Sequence, residues 1–168
     1  MASSPIRRPI AVRSLDAGLR FDRRAITRAL RLLDGEGLPR LATCKSVLGN
    51  RGEISVVFLT PCALAQIHGR FLSDPAETDV ITFPGNPALG TAGEICISAQ
   101  AAARFARRAS GDFSEELTLY LVHGWLHLAG HDDRKPAQKR AMRRAEKRAM
   151  RLLRDAGAMP KFGRQSTL

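Results

Sequence analysis

The chain has 168 residues, 27 Lys or Arg against 16 Asp or Glu, a net charge of +11, and a hydrophobic fraction of 44% with aromatics at 5%. That length suits one domain with an aliphatic core. No apolar run approaches the roughly 20 residues needed to cross a bilayer. No apolar stretch follows the N-terminal arginines as a secretory signal requires, so a cytoplasmic protein with no membrane association is expected. The charge points to a polyanionic partner, nucleic acid first.

The first predicted element is a short strand, Ile10 to Val12. Asp22 then caps a helix to about Asp34, with Ile26, Ala29, Leu30 and Leu33 on one face. Gly35 and Gly37 end it. The β-rich run Ile54 to Leu59 predicts a strand. Thr60 and Pro61 open a helix over about 61–72 that should bury Leu64, Ile67 and Phe71. After the loop Ser73 to Glu77, a third strand runs from Thr78 to Phe83, and a fourth from Glu94 to Ser98. A short helix follows over Ala99 to Arg108. Ser114 is the expected cap of a long apolar helix, with Glu115 and Glu116 in its first turn and Gly130 just beyond its end.

The last helix spans about Pro136 to Ala156, with Met142, Ala145, Ala149, Leu152, Leu153 and Ala156 on its apolar face. From Arg134 to Arg154 there are ten Lys or Arg and a single acid, Glu146, which predicts a phosphate-binding surface. Aromatics are scarce beyond Trp125, Tyr120 and seven Phe, so base-specific readout is not expected. Residues 1–8 and 159–168 read as flexible ends around one domain over 9–158. Intermixed strands and helices give an α+β class with a small four-stranded mixed sheet packed against helices. The scattered cysteines, Cys44, Cys62 and Cys96, form no C-x-x-C pair and are expected to be small buried residues.

The chemistry concentrates in His123-Gly-Trp-Leu-His127. Two histidines four residues apart on a helix share a face, about 5–6 Å apart at Cβ. The flanking leucines and Val122 make this helix largely buried, and a buried imidazole needs a polar partner. A divalent metal, zinc first, meets that need for both at once. Gly130 lets the chain reverse, so His131, Asp132 or Asp133 can return as a third ligand. Three protein ligands with an open position describe a catalytic site. The metalloprotease pattern H-E-x-x-H is absent, because Gly124 stands where its glutamate would be.

The segment 123–133, His-Gly-Trp-Leu-His-Leu-Ala-Gly-His-Asp-Asp, resembles the His-Gly-x-Leu-His-Leu-x-Gly-Tyr-Asp-His signature of the YbeY family of bacterial rRNA maturation endoribonucleases. Thr78-Asp-Val-Ile-Thr-Phe-Pro84 resembles its Thr-Asp-Val-Leu-Ser-Phe-Pro block, and Ala92-Gly-Glu-Ile-Cys-Ile-Ser98 resembles its Leu-Gly-Asp-Ile-x-Ile-Ser strand. The resemblance covers about residues 50–155. It implies a single α+β domain, zinc on the central helix, and cleavage of single-stranded RNA. It further implies processing of the 3′ end of small-subunit rRNA, ribosome quality control and contact with the small ribosomal subunit. Its third zinc ligand falls on Asp133, where the family has histidine; His131, at the family's tyrosine position, is the other candidate. The family's arginine six residues before the Thr-Asp-Val block is Leu72 here, and Arg70 is the nearby substitute.

The reading is therefore a metal-dependent endoribonuclease. Its metal ligands are His123, His127 and Asp133, with one zinc or another divalent ion per chain. His123 and Arg70 are its catalytic candidates, Arg70 offsetting charge on the phosphate. The alternative from another class is a ribosome-associated RNA-binding factor with a structural metal and no cleavage. A metallohydrolase for some other substrate is third. The sequence leaves the oligomeric state open.

Overall fold

The computed structural model describes residues 7–35, 51–72 and 78–165. Its strands are Ile10–Ser14 (β1), Leu19–Phe21 (β2), Glu53–Leu59 (β3), Val80–Pro84 (β4), Thr91–Ser98 (β5) and Phe162–Arg164 (β6). Its helices are Arg23–Gly35 (α1), Pro61–Leu72 (α2), Ala99–Arg108 (α3), Phe113–Leu128 (α4) and Pro136–Asp155 (α5).

Strand β3 is the most continuously apolar, and it sits inside the sheet, as a strand covered on both faces should. It pairs in parallel with β1 and with β5, and β4 closes the other edge antiparallel to β5. The order is β1-β3-β5-β4, a four-stranded mixed sheet in an α+β domain. Successive side chains on a strand face opposite ways. Ile95 and Ile97 of β5 therefore join the large core with residues of α1, α3, α4 and α5, while Cys96 joins the smaller core beneath α2. No helix among the described residues is long and apolar enough to cross a membrane.

The helical spacing holds where it was clearest. Ile26, Ala29, Leu30 and Leu33 are the buried residues of α1, and the Asp22 carboxylate accepts the Arg24 N–H at 2.8 Å. The same helix ends on Asp34, whose carboxylate takes the buried Arg8 guanidinium and, at 3.2 Å, the Trp125 indole N–H. The later half of α4 and the N-terminal segment are thus tied through one acid to the far end of α1.

Other expectations fail for local reasons. Phe71 is 66% exposed, because it lies on the outer side of α2, where it meets the Phe83 ring edge-on, with centroids 5.4 Å apart. Cys62 is exposed on the same helix, whereas Cys96 is buried; Cys44 lies outside the described residues. Burial, and secondarily the neighbouring Glu94, pushes the Cys96 thiol up to about 12. The cap of α4 is Asp112, which accepts the Glu115 N–H at 2.8 Å. Ser114 instead holds β6, its hydroxyl accepting the Phe162 N–H at 2.9 Å and donating to the Phe162 carbonyl at 3.2 Å. The C-terminal stretch is therefore not loose through residue 165: β6 pairs antiparallel with β2, and Phe162 packs on Phe58 and Phe113. Ala156 is exposed just past the end of α5, while Met150 takes a place on its buried side. Residues 1–6, Gly37, the loop 73–77 and residues 166–168 lie outside the described residues.

Candidate metal centre

Helix α4 lies in the core on most of its circumference, with Leu117, Leu121, Val122, Trp125, Leu126 and Leu128 buried. It can come this close to the sheet because residue 124 has no side chain. A Cβ on Gly124 would run into Ile95 Cγ2 of β5, and would also crowd Val80 and Thr82 of β4. The Thr78 to Pro84 block thus supplies part of the wall on which the histidine helix is seated.

Helix α4 stops at Ala129, and Gly130 takes a positive φ of 99°. Its N–H donates to His127 O at 3.0 Å and the His131 N–H donates to Leu126 O at 3.0 Å. This paired closure reverses the chain at the helix end and satisfies two carbonyls that would otherwise be orphaned. The reversal carries Asp133 back over the last two turns of α4.

His123, His127 and Asp133 then converge, with one ligand atom from each lying within 4.8 Å of the others. The two Nε2 atoms are 3.0 Å apart. Asp133 Oδ2 is 3.5 Å from His123 Nε2, and Oδ1 is 3.8 Å from His127 Nε2. Bonds of about 2.0–2.1 Å at tetrahedral angles would put ligand atoms about 3.3 Å apart. The observed separations straddle that value.

The outer nitrogens strengthen the fit. His123 Nδ1 lies 2.6 Å from Glu146 Oε1, and His127 Nδ1 lies 3.1 Å from the His131 carbonyl. Both partners offer acceptor oxygens, so each contact is a hydrogen bond when the ring carries its proton on Nδ1. In the neutral rings the two Nε2 lone pairs then face each other at 3.0 Å, a repulsive contact that a shared cation converts into an attractive one. Burial, then the neighbouring His123, holds the pKa of His127 below its ordinary value against the opposing pull of Asp133. That direction favours the neutral form of the ring, the form able to bind a metal. Both histidine side chains are 25% exposed and Asp133 is 37% exposed, so the group opens toward solvent.

Each residue of the turn has a separate place. His131 is buried and enters through its backbone carbonyl; its ring is not part of the ligand group. Asp132 accepts the Asp133 N–H at 2.8 Å and is gripped by the Arg134 guanidinium at 2.6 and 2.9 Å. Those bonds hold its carboxyl well below the usual carboxylate range. Asp133 alone of the three faces the histidines. Arg70 is not brought into the group. It sits in the last turn of α2, on the other face of the sheet, exposed beside a recess lined with Cys62, Ala65, Gln66 and Gly69.

Sequence reasoning missed Glu146, counted among the surface charges of α5. The signal was its register: it lies four residues after Met142 and three before Ala149, on the buried stripe of the helix. It also missed a polar cluster one turn back along α4. There the Tyr120 hydroxyl lies beside the carboxylates of Asp79 and Glu116, and burial, then those two charges, pushes that phenol above its usual range. Trp125 and Tyr120 are both buried, so neither offers a face to a nucleobase.

Comparison with known proteins gives the family. A family model described as Endoribonuclease YbeY matches residues 36–154. The protein named Endoribonuclease YbeY from Chlamydia felis is 39% identical over 115 residues, covering 64% of this chain and 73% of that protein. Its namesake from Chlamydia pneumoniae is 42% identical over the same shares of each chain. Among solved structures, the solution structure of TM1509 from Thermotoga maritima aligns with a TM-score of 0.56 at 19% identity, covering 89% of this chain and 92% of that one, a likeness of fold. By the match to more than half its length and by these relatives, the chain belongs to the Endoribonuclease YbeY family.

Proposed function

We propose that this protein is a metal-dependent endoribonuclease that cuts single-stranded RNA. The observation that carries the reading is the convergence of His123, His127 and Asp133 on one point, with both outer nitrogens already bonded. A closed structural zinc site has four protein ligands, whereas three with a solvent-facing side belong to a catalytic one. The partial exposure of all three side chains therefore favours cleavage over a binding factor with a structural metal. A divalent ion held there, with zinc the first candidate, supplies Lewis-acid polarisation of a phosphoryl oxygen or acidifies a water.

The chain's own residues do the rest. The Glu146 carboxylate and the His131 carbonyl orient the rings. Asp133 adds one negative charge where the family signature has a neutral histidine, giving a harder ligand set that widens the range of divalent ions accepted. The basic outer side of α5 binds the phosphate backbone. Lys139, Arg143 and Lys147 form one row at four-residue spacing, and Arg140, Arg144 and Arg148 form a second. All six are exposed, and the spacing corresponds to about 6 Å along the helix axis. Arg70, exposed in the last turn of α2, is kept as the candidate cation for the phosphate although it stands on the other face of the sheet from the ligand group. The domain over residues 9–158 acts in the cytoplasm on rRNA of the small ribosomal subunit, in 3′-end maturation and ribosome quality control.

Single-turnover cleavage of a single-stranded RNA, with and without chelator, tests the activity. Metal analysis of the wild type beside Asp133→Ala tests the site. The reading predicts one divalent ion per chain, lost or greatly reduced in the variant, and cleavage that stops with chelator. Stoichiometric metal with no cleavage would instead identify the binding factor.

A further inference from the structure

An acid on the buried side of a basic helix requires a reason. Glu146 is the only acid among ten Lys and Arg between Arg134 and Arg154. Its side chain is 17% exposed. A carboxylate placed there loses hydration and needs a partner. An ordinary helix ion pair at four-residue spacing is not available, because its neighbours at that spacing are Met142 and Met150. Among the described residues its ion-pair partner is His123, at 2.6 Å. The contact crosses from α5 to α4 and lands on the nitrogen that points away from the ligand group.

We propose that Glu146 is the positioning residue of the metal centre, fixing His123 as the Nδ1–H tautomer and aiming its Nε2 at the point shared with His127 and Asp133. The inference rests on the metal-centre reading above. An unrestrained neutral imidazole favours the proton on Nε2, which would leave His123 with a donor where a ligand is required. The carboxylate reverses that preference, because only Nδ1–H can bond to it. It also removes rotation of the ring about its χ2 axis, so the ligand atom is in place before an ion arrives. His127 obtains the same service from the His131 carbonyl, a neutral acceptor at the longer distance of 3.1 Å. The two histidines are therefore unequal. One is oriented by the backbone of its own helix end, and the other by a charged side chain from α5. That helix joins the site and the predicted phosphate surface in one rigid element: Glu146 faces inward and the cation rows face outward.

A purely structural role makes the opposite forecast. Removing the half-buried carboxylate relieves its own desolvation cost, the imidazole left behind is neutral in the metal-free protein, and methionine fits a stripe already holding Met142 and Met150. In Glu146→Met the metal-free protein should keep its thermal midpoint while zinc affinity, read by competition with a chromophoric chelator, weakens about 10–100-fold. Long-range 15N NMR on the metal-free proteins should show His123 as Nδ1–H in the wild type and as Nε2–H in the variant. Zinc affinity within about threefold of wild type, or an unchanged His123 tautomer, overturns the assignment. Should methionine disturb the fold, Glu146→Ala, which likewise offers His123 no acceptor, decides between the two roles from zinc affinity and the His123 tautomer. A wild type that binds no zinc refutes the metal centre itself, and the tautomer measurement still decides whether Glu146 sets the ring.

Discussion

Helices α4 and α5 both reach the proposed metal centre, and they do so in opposite ways. Helix α4 is apolar almost all round, so two imidazoles in it stand out against leucine and valine. Helix α5 is apolar on one stripe and cationic elsewhere, so a single glutamate disappears among its charges. On that reading the first helix supplies ligands, and the second supplies an outer partner and a charged surface. A functional polar residue is conspicuous in proportion to how apolar its surroundings are; in a charged helix only its register betrays it.

The largest test of that division is His127→Ala. Loss of a direct ligand should abolish metal binding and RNA cleavage, by more than the about 10–100-fold expected from losing an outer partner. Metal content and single-turnover cleavage measure both. If His127→Ala and Glu146→Met proved equally mild, the distinction between ligand helix and partner helix would collapse.

Gly124→Ala probes how α4 is seated. The added methyl has no room against Ile95, so overpacking should cost about 1–3 kcal/mol in chemical denaturation. Metal affinity should fall with it, because both histidines ride on the displaced helix. The outer side of α5 offers the gentlest perturbation. Lys139→Ala, Arg143→Ala and Lys147→Ala together remove three phosphate contacts, which should lower the slope of log affinity against log salt by about 2 for single-stranded RNA. Measured by fluorescence anisotropy with chelator present, an unchanged slope would place the RNA elsewhere. Zinc affinity should be unaffected, which separates the outer side of α5 from its inner one.

Much of the fold was legible because its elements are long or strongly patterned. The four residues buried by α1 follow from their spacing, and α3 begins at Ala99 and ends at Arg108 as expected. Strands β2 and β6 have three residues each, too few for a period, and their pairing joins Leu19 to Arg164 across most of the chain. The cap of α4 was misplaced because Asp112 and Ser114 are both good capping residues. The choice turned on β6, which claims the Ser114 hydroxyl. Phe71 was expected inside because it is large and apolar, but α2 covers only a small core and its outer side is left with a recess. In the site, His123, His127 and the reversal at Gly130 were legible from spacing. The separate parts played by His131, Asp132 and Asp133 were not, since only the turn geometry decides which side chain points back.

The bare backbone at residue 124 bounds the reactions this scaffold can host. A peptidase of the H-E-x-x-H kind needs a glutamate directly after its first histidine, and here that position touches strand β5 with no space for even one carbon. Installing the base would require lifting the helix from the sheet, and the ligands would leave with it. Contact between a helix and a strand, rather than the ligand set, keeps this centre from acquiring that second chemistry.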